Sequence, residues 1–64
     1  MTTPLDALPK IGAPATRALN AAGYHALRQL ADVSRADLMK LHGVGPRALR
    51  IIEAALEEHQ LRLG

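Results

Sequence analysis

The sequence contains no cysteine, tryptophan or phenylalanine, and its one tyrosine is Tyr24. Without cysteine there can be no disulfide framework, no thiolate-ligated zinc and no cysteine nucleophile. A single tyrosine cannot build the stacking platform that proteins use to bind single-stranded nucleic acid. A chain of 64 residues buries only about 60% of the surface that its unfolded form exposes. We therefore expect one small domain over residues 1–64, without a roomy substrate cavity.

Long apolar runs and catalytic constellations are also missing from the sequence. The longest apolar runs are two or three residues, too short to span a membrane, and no charged start precedes an apolar stretch as in a secretory signal. The histidines, His25, His42 and His59, do not share the i, i+4 spacing of a helical metal pair. No hydroxyl residue has a histidine base at helical spacing. We therefore expect an intracellular, cytoplasmic protein without enzyme activity, cofactor, metal, small-molecule substrate or membrane partner.

Alanine and leucine dominate the sequence, and no stretch alternates at period two, so an all-α fold is expected. Capping residues and prolines indicate where the helices begin and end. One helix is expected to begin at Pro4, one to end at Gly23, one to begin after Ser34, and the longest to begin at Pro46. The five expected helices cover about 4–8, 13–22, 26–32, 35–41 and 46–59. Three aliphatic residues form the expected buried stripe of the last helix: Leu49, Ile52 and Leu56.

The chain contains an internal repeat with a period of 33 residues. Matched pairs include Leu8 with Leu41, Ile11 with Val44, Gly12 with Gly45, and Arg17 with Arg50. Each half is predicted to form helix, turn and helix, with hairpin 1 at about 4–22, a connecting helix at about 26–32 and hairpin 2 at about 35–59. Because neither half could bury its apolar face alone, we expect the two to pack about a pseudo-twofold axis.

The strongest local signal is the segment LHGVGPRAL, residues 41–49. Its two glycines, Gly43 and Gly45, allow backbone conformations closed to other residues and a close approach to a ligand. Val44 between them is expected to point inward and fix the hairpin. Gly45 precedes a helix whose first N–H groups have no partner within the helix, and such groups, with the helix dipole, favour an anion. The segment therefore predicts a phosphate site.

The net charge of +2 is too small to indicate a partner, but its distribution is informative. On the last helix Arg47 and Arg50 occupy the first turns and glutamates the later ones, the reverse of what favours helix stability. An anion bound at the N-terminal end would account for this arrangement. Alternatively Arg50 pairs with Glu53 or Glu57 on a solvated face, and both interpretations can hold together.

Hairpin 1 repeats this geometry more weakly. Lys10, Ile11 and Gly12 form its turn, and Arg17 lies about one helical turn into the next helix. Lys10 stands where hairpin 2 has Gly43, so the turn of hairpin 1 is expected to differ in shape.

The second hairpin resembles the helix-hairpin-helix motif, and the duplicated arrangement resembles the SAM-domain-like tandem helix-hairpin-helix domain. From Arg17 to Gly64 the chain is similar to the C-terminal domain of the bacterial RNA polymerase alpha subunit. The matching stretches are RALNAAGYHALRQLADVSRADLMKLHGVGPRALRIIEAAL and the closing LRLG. The resemblance implies binding of duplex DNA through the minor groove and its flanking phosphates, largely without reading sequence.

Carried over residue by residue, the resemblance gives Arg47 a DNA contact at the start of the last helix and places Arg17 at a polar DNA contact. Three positions depart from the pattern. Pro14 stands where the polymerase-like domains insert an arginine into the groove, which argues against recognition of A·T-rich promoter elements. Pro46 replaces a common lysine, and His42 a common proline.

The function expected from the sequence is non-specific or weakly specific binding of duplex DNA by two hairpins, at the nucleoid. The expected contacts are Lys10, Ile11, Gly12, Arg17, Lys40, His42, Gly43, Val44, Gly45, Arg47, Ala48 and Arg50. A larger transcription or repair protein is a further expected partner. Two alternatives stay open: a protein-interaction module on the same fold, and a dimer that binds DNA only when paired.

Overall fold

The computed structural model describes residues 3–64, and over these residues the chain forms helices joined by turns, with no strand. The elements in chain order are helix α1 (Ala13–Ala21), a 3₁₀ helix (Leu27–Leu30), helix α2 (Arg35–Met39) and helix α3 (Pro46–Glu58). The principal extents are 26 × 21 × 20 Å. No helix of the described residues has the length and apolar character that crossing a bilayer requires.

Helices α1 and α3 begin as the sequence predicts, each after a glycine and with a proline in its first turn. Helix α1 also ends as predicted, because Gly23 adopts a φ of +95°. Its N–H donates to the carbonyl of Asn20 (3.1 Å), and the N–H of Tyr24 donates to the carbonyl of Leu19 (2.8 Å). These two bonds form a Schellman cap, so the predicted role of Gly23 is confirmed.

The predicted first helix at 4–8 is wrong. Only one turn forms there, closed by a bond from the N–H of Ala7 to the carbonyl of Pro4 (3.2 Å). The carbonyls of Leu5 and Ala7 accept instead from the N–H groups of Arg28 (3.1 Å) and Leu27 (3.0 Å). They satisfy the unpaired amides at the start of the 3₁₀ helix, and a helix at 4–8 would lose these long-range bonds.

The connecting helix and α2 are shorter than predicted. The helix expected at 26–32 is the 3₁₀ helix Leu27–Leu30. Ser34 caps α2 as expected, its Oγ accepting from the N–H of Asp37 (3.4 Å). Helix α2 ends before residue 41 because the N–H groups of the next two residues bond three residues back rather than four. Residues 3–64 thus form three α-helices and one 3₁₀ helix, and the expectation of five helices is corrected.

The hydrophobic core is aliphatic and draws on every helix. Its fully buried side chains are Leu19, Leu27, Leu30, Leu38, Leu49, Ile52 and Leu56, and these include the predicted stripe of α3. Helix α3 packs against both α2 and the 3₁₀ helix. Tyr24 is half-buried against the core. Because α1 and α3 share this core, it fixes the positions of the two hairpin turns, which precede these helices.

The C-terminal LRLG segment is tied to the loop after the 3₁₀ helix. The N–H of Asp32 donates to the carbonyl of Arg62 (2.9 Å), and the N–H of Gly64 donates to the carbonyl of Val33 (2.7 Å). Gly64 is required there, because a Cβ at this position would lie 2.5 Å from the carbonyl oxygen of Asp32. These contacts hold residues 62–64 against the loop after the 3₁₀ helix.

Candidate nucleic-acid interface

The turn of hairpin 2 has the shape that the sequence predicts for its first glycine. Gly43 adopts a φ of +100°, which side chains disfavour. Val44 is buried in the core, and its N–H donates to the carbonyl of Leu41 (3.2 Å), so the expected inward orientation is confirmed. Gly45 has a φ of −112° and an extended backbone, so it does not need the freedom of glycine in φ.

The N-terminus of α3 has no cap from the protein. No side chain of the described residues accepts from its first amides, and its first turn contains no acidic residue. The first backbone bond of the helix runs from the N–H of Leu49 to the carbonyl of Gly45 (3.1 Å). The N–H groups of Arg47 and Ala48 consequently have no acceptor within residues 3–64. Arg47 is exposed and Ala48 is 6% exposed, and N–H groups without an acceptor at a helix N-terminus favour an anion.

The N-terminus of α1 has the same property. It follows Gly12, which is exposed, has a φ of +93° and provides no side-chain cap. The first helical bond runs from the N–H of Thr16 to the carbonyl of Gly12 (3.0 Å), which leaves the N–H groups of Ala13 and Ala15 without an acceptor in the described part of the chain. In both hairpins, therefore, two amides at the start of the second helix have no acceptor within residues 3–64, although Ala15 itself is buried.

The two turns differ in conformation, as the Lys10-for-Gly43 replacement predicts. The left-handed residue of hairpin 2 is Gly43, whereas Lys10 at the matching position has no positive φ. In hairpin 1 the left-handed residue is Gly12, and its counterpart Gly45 is extended. The sequence repeat therefore does not extend to the backbone dihedral angles of the turns.

Most of the predicted cationic side chains have no acidic partner. Lys10, Arg17, Arg47 and Arg50 are exposed, and no carboxylate of residues 3–64 lies within 4.0 Å of their charged groups. Lys40 is the exception, because its Nζ lies 3.8 Å from Oδ1 of Asp37. The proposed pairing of Arg50 with a glutamate does not form.

Two of the places where the hairpins meet are related by the 33-residue repeat. At one, Gly43 lies against the backbone of Pro14. At the other, hairpin 1 and the first turns of α3 line a groove of about 320 Å³. The groove residues are Lys10, Ile11, Gly12, Arg47, Ala48 and Ile51. Five of these six were predicted as contacts. The backbones of the two hairpins thus lie close together at Gly43 and Pro14. At the position that the repeat matches to this contact, an open groove is lined by two cationic side chains.

The contacts expected from the sequence omit Ile51, and they group His42 with the groove residues although it lines a different surface. Ile51 carries no polar group, and only its position one turn after Arg47 could have placed it in the groove. His42 is exposed, lies beside Ala18, Ala21 and Ala22 of α1, and is not among the groove residues.

Comparison with known proteins places this geometry in a family. No curated protein and no solved structure matches the chain significantly, so the narrower resemblance to the polymerase alpha subunit stays a prediction. A family model described as a SAM-like helix-hairpin-helix tandem matches residues 3–57. Domains of this kind are generally associated with nucleic-acid binding. Because the match covers most of the sequence, the chain belongs to the SAM-like helix-hairpin-helix tandem family.

Proposed function

We propose that this domain binds duplex DNA through its phosphates, with little or no sequence preference. The observation that carries the proposal is the N-terminus of α3. Its amides at Arg47 and Ala48 have no acceptor within residues 3–64, and Arg47 and Arg50 are exposed without acidic partners there. Donors of this kind with nearby cations form an anion site, and the repeated phosphate is the anion of a duplex.

Hairpin 1 would supply the second contact. The amides of Ala13 and Ala15 are equally free of acceptors in the described residues, and Lys10 and Arg17 add positive charge. The two hairpins are related by the repeat. Each would contact the phosphates of one DNA strand, on opposite sides of the minor groove. Contacts of this type position a protein without specifying sequence. For one small domain the expected dissociation constant is on the order of 10⁻⁴ to 10⁻⁶ M at physiological salt.

A titration of a fluorescently labelled duplex at several salt concentrations tests the proposal. If about three or four phosphates are neutralised, the logarithm of affinity falls with the logarithm of salt concentration at a slope near −3. Replacing both Arg47→Glu and Arg50→Glu should abolish binding. Undiminished binding by this double variant would refute the assigned site. A native chain that does not bind DNA even at low salt would refute the function.

The second candidate is docking of a partner protein, and one surface favours it. An open, mainly apolar patch lies between α1 and the segment after α2 and is lined by Ala18, Ala21, Ala22, Leu41 and His42. A partner that docks there would be insensitive to the Arg47 and Arg50 substitutions. In the DNA titration, a native chain that does not bind the duplex even at low salt would favour this second function.

A further inference from the structure

Gly43 makes an unusually close contact between the two hairpins. A Cβ atom at this position would lie 2.8 Å from the carbonyl oxygen of Pro14 and 3.1 Å from its carbonyl carbon. Real Cβ atoms essentially never lie within 3.0 Å of such neighbours. Because both atoms of Pro14 belong to the backbone, they cannot rotate away as the end of a flexible side chain could. Any side chain at Gly43 must therefore displace one turn relative to the other.

The contact lies where it can set the spacing of the two hairpins. Pro14 is in the first turn of α1, next to the free amides of Ala13 and Ala15. Gly43 lies two residues before Gly45, the N-cap of α3. At the matching place, near Lys10, the hairpins are separated by an open groove. The Gly43–Pro14 contact is thus a close backbone approach between the two turns that precede the unpaired amides.

We infer that Gly43 is a positioning residue, which sets the distance between the two helix N-termini so that both hairpins can engage one duplex together. This inference rests on the proposed function. The phosphates of a duplex have a fixed spacing. If the two turns are displaced relative to each other, only one hairpin at a time can contact its phosphates. The number of phosphates neutralised then falls, and the salt dependence of binding falls with it.

The test compares Gly43→Ala with Gly23→Ala. Both glycines have a similar left-handed φ, +100° and +95°, so alanine causes similar backbone strain at either position. A Cβ at Gly23 meets nothing within 4 Å, whereas at Gly43 it meets Pro14. Thermal unfolding gives the folded fraction of each variant. Labelled-duplex titrations at several salt concentrations then give the affinity of the folded protein and its salt slope.

We expect the salt slope of Gly43→Ala to fall to about half that of the native chain, near −1.5, with affinity at low salt weaker by about tenfold. Gly23→Ala should keep the native slope and affinity once the folded fraction is taken into account. In the absence of DNA, the amide signals of Gly12 and Ala13 should shift in Gly43→Ala and not in Gly23→Ala.

Three outcomes would overturn the inference. A native slope and affinity in Gly43→Ala would show that the contact does not position the hairpins. Equal losses in both alanine variants would assign the effect to backbone strain. Unshifted amides in hairpin 1 would show that the turns are not coupled, even if the native chain proves not to bind DNA. If Gly43→Ala does not fold, Gly43→Asn and Gly23→Asn replace the pair, because asparagine tolerates positive φ better and still adds a Cβ.

Discussion

Nη1 of Arg35 lies 3.3 Å from Oε1 of Glu53, so an ion pair links α2 to α3. Oε1 of Glu53 has no partner with hydrogen-bond geometry, so the attraction is mainly between charges. Arg35 thus pairs with Glu53, which lies three residues after Arg50. Arg50 stays exposed without an acidic partner in residues 3–64. The N-terminal half of α3 therefore presents its positive charge to solvent rather than neutralising it along the helix.

Because Arg35 is paired with Glu53 and Arg50 has no acidic partner in residues 3–64, alanine substitutions of these two arginines should have different effects. Arg50→Ala should reduce the steepness of the salt dependence of DNA binding by about one, because one phosphate contact is lost. Arg35→Ala removes the same charge but should leave the slope unchanged. It should lower the unfolding free energy by about 1 kcal/mol, because the Arg35 side chain is 60% exposed, although Oε1 of Glu53 is buried. Duplex titrations and urea unfolding measure the two quantities. Equal changes of slope in both variants would contradict the assignment.

Truncating a core side chain of α3 should cause a large loss of stability. Leu56→Ala should lower the unfolding free energy by about 2–5 kcal/mol, because a fully buried side chain leaves a cavity. Met39→Ala is the matched control, since Met39 is 45% exposed and is expected to change stability by no more than about 0.5 kcal/mol. Urea denaturation followed by circular dichroism measures both. A similar loss in the two variants would argue against the described core.

The cap of α2 predicts a smaller effect. Ser34→Ala removes the side-chain acceptor of the Asp37 N–H, and such losses cost about 0.5–2 kcal/mol. The bond is long, at 3.4 Å, so we expect a value near the lower limit. Ser34→Thr keeps an oxygen acceptor and should retain most of the stability. Thermal unfolding of the three proteins is the measurement, and equal melting temperatures for all would show that the cap contributes nothing.

The end of α3 predicts a stabilising substitution. Gln60 has a φ of +58°, and the N–H of Leu61 donates to the carbonyl of Leu56 (2.9 Å), as in the Schellman cap at Gly23. Glycine has no penalty in this conformation, so Gln60→Gly should raise the unfolding free energy by about 0.5–1 kcal/mol. Gly23→Ala should shift it in the opposite direction by a similar amount. A destabilised Gln60→Gly variant would contradict the cap assignment.

Features that depend on residues close together in the chain were predictable from the sequence. Ser34 and Pro46 mark the starts of α2 and α3 through their own side chains, and Gly23 marks the end of α1 through its conformational freedom. The helical spacing of the aliphatic residues gave the buried face of α3. The predicted contacts at Lys10 and Arg47 also lie in one groove, because the repeat relates the two hairpins.

Features that depend on distant residues were not predictable in the same way. The first helix fails because the carbonyls of Leu5 and Ala7 bond to the 3₁₀ helix about 20 residues later, and nothing local to them indicates such partners. The Gly43–Pro14 contact joins two turns whose relative position only the packed core fixes. The pairing of Arg35 rather than Arg50 with Glu53 likewise follows from the packing of α2 on α3.

The most direct test of the proposed DNA interface is an amide-shift map of the native chain on addition of duplex DNA. The largest changes are expected on the amides of Arg47 and Ala48 in α3 and of Ala13 and Ala15 in α1, and they should diminish as salt rises. Changes concentrated on the alanine-rich patch of α1, or no changes at low salt, would contradict the proposed interface.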